Sequence, residues 1–503
     1  MKPRLVATKL ERAAHRVVAL ILWSMQATTT ARWLQGAVRY LFIAVVVAIP
    51  LSVKFYFPGI DVEVIFPAEP LIALLGLVLF AMFLVKGARP RFRREALVHP
   101  ITLLVAAYVG ASVFAMLGST MPMVSVKATL VRVCYVVVFY FYLVCMEHSD
   151  ERVNLSRLLR FHGYAFLAIV LYSLVHQVSQ GGGRVAAGLS PFPFYIDHTI
   201  YSAALVFVLF GFVYATYSSF STVRWARPTI LLLACGGLCA VALYFSFCRA
   251  AWLSALAALF FLFLHHLGLR FRGFVFAGLV LGSVLLFFRG PILNHARSNT
   301  VDSNADNAGF TESVLSITNI NTDVSNTERL NRWSCAYRMF LDKPLLGFGP
   351  GTFQFEYMHY QRPGEITYVS AWDTRDPAKI QRTWSFSEQL FVRKNPQLHY
   401  YSGGTAHSEY LLALSEGGFL LFAVFLALGL MTLRTGIRSL AFYTDTSTRS
   451  MVLAALLGLL AYFAHGLFNN FLDDCKAAFL FWASLGVLTT LDVQRRTIER
   501  SPT

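Results

Sequence analysis

The sequence predicts an all-α polytopic membrane protein of about 12 transmembrane helices, interrupted in its second half by one large, mainly helical extracytoplasmic segment. Composition is the first reason. Hydrophobic residues make up 56% of the chain and charged residues only 14%, too little polar surface to clothe a soluble globule of 503 residues. The second reason is spacing: apolar runs of about 20 residues, enough to cross a hydrocarbon core, recur between short basic connections. Backbone in lipid must satisfy its own N–H and C=O groups, so these runs are helices.

In order, spans are predicted near 35–53, 70–86, 100–118, 128–146, 162–178, 200–217, 229–247, 250–268, 273–289, 416–433, 451–468 and 477–491. The stretch 17–31 is apolar but broken by Thr28-Thr29-Thr30, and reads as an interfacial helix. Three parts follow: an N-terminal bundle of nine spans over 1–289, a loop domain over 290–415, and three C-terminal spans over 416–503.

Charge sets the orientation, because cytoplasmic connections carry excess Lys and Arg. With both termini in the cytoplasm, 25 of the 43 Lys and Arg fall on that side, 12 in the segment 289–405 and 6 elsewhere. Lys86, Arg89, Arg91, Arg93 and Arg94 crowd one short loop. The long segment also holds 11 Asp and Glu and is nearly neutral. The net charge of +16 is therefore mainly a topology signal and no argument for nucleic acid; it also favours anionic lipid at the cytoplasmic face. The basic N-terminus is followed by no clean apolar region ending in small residues, so no cleavable leader is expected. Cys134, Cys145, Cys235, Cys239 and Cys248 lie in predicted spans as small apolar residues, whereas Cys335 and Cys475 fall outside, with nothing in the sequence to pair them. No metal-ligand spacing, phosphate-cradling glycine loop or repeat is present.

Polar residues at the outer surface are the candidates for function, since charge near lipid is costly. Gly181-Gly182-Gly183-Arg184 lets backbone approach a ligand and offers a guanidinium fork to an oxyanion; a loop with a snorkelling arginine is the plainer reading. It continues to Asp197 and His198, either a carboxylate-oriented imidazole or the cap of span six. In Ser246-Phe247-Cys248-Arg249-Ala250-Ala251-Trp252 one span ends where the next begins, so Arg249 faces whatever covers the two helices, or anchors at the interface with Trp252. Asn326-Thr327-Glu328-Arg329-Leu330-Asn331-Arg332-Trp333 opens an amphipathic helix with Arg329 and Trp333 on one face, stopped by Asp342-Lys343-Pro344. A glycine turn follows at Gly347-Phe348-Gly349-Pro350-Gly351. His407 leads into the helix through Glu416-Gly417-Gly418 and is either a general base or a cap. Arg132, inside span four, must face the bundle and find a partner. His162, His176, His265 and His266 sit near span ends, where interfacial packing is the default.

The order of these pieces resembles the O-antigen ligase and polymerase family of bacterial envelope glycosyltransferases. That family's pattern runs Ser-Arg-Gly-Ala-Trp, Arg-x-x-x-Trp, Pro-Leu-x-Gly-x-Gly-Pro-Gly, then His-Asn-x-Tyr-Leu before Glu-x-Gly. This chain has Ser246 to Trp252 containing Arg249, Arg329 with Trp333, Pro344-Leu345-Leu346-Gly347-Phe348-Gly349-Pro350-Gly351, and His407-Ser408-Glu409-Tyr410-Leu411 before Glu416-Gly417-Gly418. The match covers roughly 180–470. Cys248 stands in place of the serine beside the arginine, and Ser408 in place of the asparagine after the histidine.

The resemblance implies a multi-pass protein of the bacterial inner membrane that moves a glycan from undecaprenyl diphosphate on the periplasmic side, using no cofactor, metal or nucleotide. Arg184 and Arg249 are then expected on the diphosphate, with Asp197, His198 and Arg332 in the substrate-binding set. Arg329 supports donor or leaving group, and His407 acts as base or orients the acceptor. Partners are the lipid-linked donor, membrane lipid, and an acceptor that is lipid A-core for a ligase, another lipid-linked repeat for an O-antigen or exopolysaccharide polymerase, or a protein for an O-oligosaccharyltransferase. One dominant late loop ending in a single histidine favours the ligase. A transporter or flippase for lipid-linked sugar would share the helix count, but typically shows repeats and midplane sites.

Overall fold

The computed structural model describes residues 29–57, 62–85, 88–89, 92–145, 155–301, 310–320, 322–362, 365 and 404–500. Helix α1 (Thr29–Leu51) leads into an antiparallel hairpin of β1 (Val53–Phe57) and β2 (Val62–Phe66), with Val53 opposite Phe66. Helices α2 (Ala68–Leu84), α3 (Pro100–Leu117), α4 (Pro122–Cys145) and α5 (Leu155–Ser179) follow. Next come α6 (His198–Val223), α7 (Arg227–Phe245), α8 (Arg249–His266) and α9 (Phe271–Phe287). Outside the bundle lie α10 (Arg289–Ser298) and α11 (Val324–Asp342), and the chain returns through α12 (Glu409–Phe442), α13 (Thr446–His465) and α14 (Cys475–Arg500).

Ten of these helices are long and apolar enough to span a membrane; α9 with α10, bent by 64°, forms an eleventh candidate, and α2 is a shorter apolar helix. Together they account for the twelve predicted runs, and the chain is an all-α polytopic membrane protein. The stretch 17–31 lies almost wholly outside the described residues, with α1 starting at Thr29. The hairpin was not expected from hydropathy, which reads a short strand pair beside a span as a simple connection.

Helix α14 is the axis of the bundle. Of its apolar window 83% is buried, against 28% for α7 and for α8 at the lipid-facing rim. Close helix approach is made by glycine: a Cβ on Gly458 of α13 would lie 2.4 Å from the Phe207 ring of α6, and one on Gly436 of α12 2.5 Å from Leu456 of α13. Without a hydrophobic drive between helices in lipid, such packing contacts supply much of the association.

The extracytoplasmic segment docks on the bundle through backbone. Phe348 N–H donates to the Ser415 carbonyl (3.0 Å), Gly349 N–H to the Glu416 carbonyl (2.9 Å), and Phe419 N–H to the Pro344 carbonyl (2.8 Å). Two chains can come this close only without side chains: a Cβ on Gly347 would sit 2.4 Å from the Glu416 carbonyl carbon, and one on Gly418 2.3 Å from that of Leu345. Both glycines also hold φ of 65°, a region that L side chains rarely enter. Ser125 Oγ donates to the Pro350 carbonyl (2.9 Å), and Thr120 N–H to that of Phe348 (3.1 Å), so α4 and the turn after α3 grip the same loop. Above it a small core of Cys335, Met339, Phe348, Phe353, Tyr357 and Leu412 joins α11 to the start of α12.

The helix expected to enter the membrane at Glu416 begins instead at Glu409, with Gly418 as a non-helical break within it. Its first two turns are buried by protein rather than lipid, so hydropathy does not mark them. All seven cysteines are free thiols, Cys335 and Cys475 included.

Replacing Gly347 or Gly418 by alanine is expected to destabilise the fold by about 2 kcal/mol or more, read as a lower midpoint in detergent thermal unfolding. Gly237→Ala, where nothing lies within 4 Å of the new Cβ, should leave the midpoint unchanged or slightly raised.

Candidate functional site

At the outer end of the bundle the start of α8 meets the start of α11. Asp323 caps α11, accepting from Asn326 N–H (3.2 Å), and also takes the Arg249 fork: Nη1 to Oδ2 at 3.0 Å and Nη2 to Oδ1 at 3.4 Å. Arg249 Nη1 donates as well to Ser316 Oγ (2.8 Å). Asp323 is fully buried, so Arg249, expected on a substrate anion, has a protein carboxylate on its planar face. The tight α7–α8 hairpin that delivers it places Phe247 at φ 50°, and burial pushes the adjacent Cys248 thiol up.

One helical turn into α11, Arg329 donates from Nη1 to Ser325 Oγ (2.8 Å) and to the Ser325 carbonyl (3.3 Å). Its Nε is buried with no hydrogen-bond partner. Burial lowers the proton affinity of this guanidinium, and the like charge of Arg249 lowers it further, against the opposing pull of Cys248, Asp323 and Asp197. A buried cation beside a second cation, with an unused N–H, is a site that an anion would relieve.

Asp197 caps α6, its Oδ1 accepting from Thr199 N–H (2.8 Å). His198 Nδ1 lies 3.6 Å from the same oxygen, beyond hydrogen-bond range, so capping is the carboxylate's first employment. The charges of Asp197, Arg184 and Arg329 all act on His198. Arg184 is half-buried at the first turn of a short helix, Arg184–Leu189, after Gly181 and Gly182, which take φ of 94° and 76°. Gln177 ties this loop to the end of α7, donating to the Phe245 carbonyl (2.9 Å).

His407, half-buried, closes the arrangement. Its backbone sits at φ 49°, and its carbonyl accepts from Trp333 Nε1 (3.1 Å), so the Arg329–Trp333 face of α11 does meet the histidine. Arg332 is spent on holding this segment: Nε on Glu328 (2.6 Å), Nη1 on the Thr405 carbonyl (3.1 Å), the guanidinium 5.4 Å from the Tyr357 ring centre. It packs so tightly that a Cβ on Gly404 would lie 1.9 Å from Nη1. Expected among the substrate contacts, Arg332 is placed to position the His407 segment. Ser408 caps α12, accepting from Leu411 N–H (3.4 Å), and donates to the Gly466 carbonyl (3.2 Å).

Burial, then the charges of Arg332 and Arg329, hold the His407 imidazole well below its ordinary value, with a bond to Asn469 opposing. The ring is neutral at physiological pH and free to accept a proton. Asn469 also meets His465, Nδ2 to Nε2 at 3.0 Å, and His465 Nδ1 is buried without a partner.

Beneath, Arg132 of α4 finds its partners in Asp473 (Nε to Oδ1, 2.9 Å) and Glu416 (Nη2 to Oε2, 3.1 Å). Glu409 accepts from Tyr462 (2.6 Å), Phe471 N–H (2.7 Å) and Leu472 N–H (3.1 Å). Glu409 pins the connection between α13 and α14 directly, and Glu416 is linked to it through Arg132 and Asp473. Asp323, Asn469, His465, Asp473 and Glu409 were missed from sequence. A signal was present for two of them, Asn469 and Asp473, because the short run Asn469-Asn470-Phe471-Leu472-Asp473-Asp474 is unusually polar for a connection between two spans.

The structure thus gathers Arg249, Arg329, Asp197, His198, Arg184 and His407 at one end of the bundle with Arg329 acting on both histidines, and Arg332 near them bonded to Glu328 and the Thr405 carbonyl. Residues 234–373 match a family model described as O-antigen ligase, a stretch that runs from α7 through the glycine turn and contains Arg249 and Arg329. No curated protein matches the chain.

Truncating Arg249 or Asp323 to alanine leaves a buried charge unpaired and is expected to cost about 3–5 kcal/mol each. The double replacement should cost clearly less than the sum, in a thermal-unfolding cycle on the purified protein.

Proposed function

We propose that this chain, a member of the O-antigen ligase and polymerase family by the domain it carries, transfers a glycan from undecaprenyl diphosphate to lipid A-core oligosaccharide at the periplasmic face. Both termini then lie in the cytoplasm, and the chain divides into the two helical bundles and the loop domain between them. The observation that carries the reading is Arg329, a half-buried side chain whose Nε is buried and unpartnered, beside Arg249 and in electrostatic reach of a neutral His407. Pyrophosphate supplies a counter-anion for Arg329, which stands beside an Arg249 already held by Asp323. Lipid chain also has a place: an apolar groove of about 720 Å³ runs between α10 and α11, lined by Phe288, Ile292, Ala296, Ile320 and Leu330. Leu330, a groove residue, is the neighbour of Arg329 on α11, so a polyprenyl tail in the groove would leave its headgroup on the same stretch of helix as Arg329.

In this reaction an acceptor hydroxyl loses its proton to His407 as its oxygen attacks the anomeric carbon. The bond from that carbon to the diphosphate oxygen breaks, and the departing charge falls to Arg329, with Arg184 at the mouth. Arg249 positions Arg329 through Asp323 and adds to the positive field. The chain's own arginines supply the charge compensation, so the proposal needs no metal. Arg332 and Trp333 hold the His407 backbone, and Asn469 orients its ring.

His407→Ala is expected to reduce transfer by about 100-fold or more while donor binding persists, in a detergent assay with lipid-linked glycan and each acceptor supplied separately. Wild-type-like transfer would refute the base. Product with lipid A-core assigns the ligase and product with a second lipid-linked repeat the polymerase; absence of product with every acceptor favours a transporter. Because His407 is held below its ordinary value, its neutral fraction survives acidification, and the acid limb of kcat/KM should fall below about pH 6.5. An acid limb above that value would contradict this role.

A further inference from the structure

A second cavity, of about 400 Å³, lies at the opposite end of the bundle from His407. Its walls come from the beginning of α5, the second half of α6, the beginning of α7, the beginning of α13, and Leu480 and Ser484 of α14. Helices α5, α6, α7 and α13 run on to the outer site, so the two sites lie at opposite ends of the same helices. Phe207, Phe212 and Leu480 make the interior apolar. Two of the lining side chains carry buried polar atoms with no hydrogen-bond partner, His162 Nε2 and Ser450 Oγ, and their residues are 2% and 3% exposed. Nδ1 of His162 is engaged with the Val46 carbonyl (3.0 Å), so it carries the proton and Nε2 is left as an acceptor. Buried polar atoms are rarely left orphaned without a reason.

Basic residues gather at the rim. Exposed Arg160 lines it; Arg227 and Arg449 stand next in sequence to the lining residues Pro228 and Ser450, with Arg449 Nη1 on the Leu440 carbonyl (3.0 Å). Asp445, nearby, is committed to capping α13 through Thr448 N–H (2.8 Å). Ser218, Ser219 and Thr222 also line the cavity, Ser219 Oγ bonded to Thr229 (2.7 Å).

We infer that this cavity binds one anionic glycerophospholipid of the leaflet opposite the transfer site. An acyl chain fills the apolar interior, Ser450 Oγ donates to an ester carbonyl, and His162 Nε2 accepts from a headgroup hydroxyl. The phosphate lies at the arginine rim. A volume of this size is within the range of built ligand sites, about 300–1,000 Å³. The inference stands apart from the transferase reading, because no residue of the outer site takes part in it.

The test uses the full chain, delipidated in detergent, with dioleoyl phosphatidylglycerol, dioleoyl phosphatidylcholine or inorganic phosphate as probe. Phosphatidylglycerol is expected to raise the thermal-unfolding midpoint by about 4 °C or more, and the other two to leave it in place. Gly211 lines the cavity, and a Cβ there meets nothing within 4 Å; Gly211→Leu fills the space and should abolish the shift while keeping the lipid-free midpoint. Ser450→Ala, which cannot perturb packing much, should weaken phosphatidylglycerol binding about fivefold. Equal stabilisation by phosphatidylcholine, a shift reproduced by inorganic phosphate, no shift at all, or unchanged binding in Ser450→Ala would each overturn the inference. A folded Gly211→Leu that retained the shift would do so too.

Discussion

Backbone hydrogen bonds between 344–349 and 415–419 determine where everything outside the membrane can sit. They join the end of α11 to a break in α12, and both partners must be stripped to glycine for the chains to meet. From that junction α11 runs back over the outer end of the bundle, so its first turns reach Arg249 and its Trp333 reaches His407. Glu416, whose own carbonyl is in the junction, extends its carboxylate to Arg132 and Phe353 N–H. The same few residues therefore fix the segment to the membrane and balance the charge buried beneath it. Breaking a junction of this kind costs packing, hydrogen bonds and charge pairing together.

Electrostatics then separates two kinds of arginine. Arg132, Arg249 and Arg332 are paired with Asp473 and Glu416, Asp323, and Glu328 respectively, and each pair ties together elements far apart in the chain or holds a turn. Among the described residues, Arg329 bonds to the neutral Ser325 and to no carboxylate; it keeps one buried N–H unused, as Arg132 does at Nη1, but without Arg132's two acidic partners. Cationic side chains near lipid are all costly, but only an unpaired one stores that cost until a ligand arrives. The functional distinction is thus one of pairing rather than of residue type.

That distinction explains what was legible in the sequence. Transmembrane runs could be read because lipid acts on each residue locally, and all twelve correspond to helices in the structure. Helix α12 began earlier than its apolar run because Glu409 to Ser415 are buried by protein, to which hydropathy is blind. The cost of charge near lipid pointed correctly to Arg132 as a residue in need of partners, yet Asp473 is more than three hundred residues away and no spacing rule reaches it. The amphipathic pattern of α11 showed that Arg329 and Trp333 share a face, and the structure puts His407 against it. Asp323 was invisible as the Arg249 partner because it lies 74 residues further along the chain, where no spacing rule reaches it. The glycine motifs announced unusual backbone, but not which chain would approach them.

The cations and the base act on one another, and this links the order of events at the proposed site. Arg329 and Arg332 lower the proton affinity of His407, which keeps the ring neutral but also makes it a weak base. Arg332 acts on the ring more strongly than Arg329, but its bonds to Glu328 and the Thr405 carbonyl are internal to the protein, so Arg329 is the cation whose charge a ligand can change. A diphosphate bound at Arg329 cancels that charge, and the proton affinity of His407 must rise in response. Linkage makes the effect mutual, since a protonated His407 in turn holds the diphosphate more tightly. In the proposed reaction the base would therefore gain strength when the donor is in place, and the imidazolium formed by deprotonating the acceptor would stabilise the leaving group as its charge develops. A site arranged this way would suppress attack on the wrong species by leaving its base weak until the proposed donor has entered.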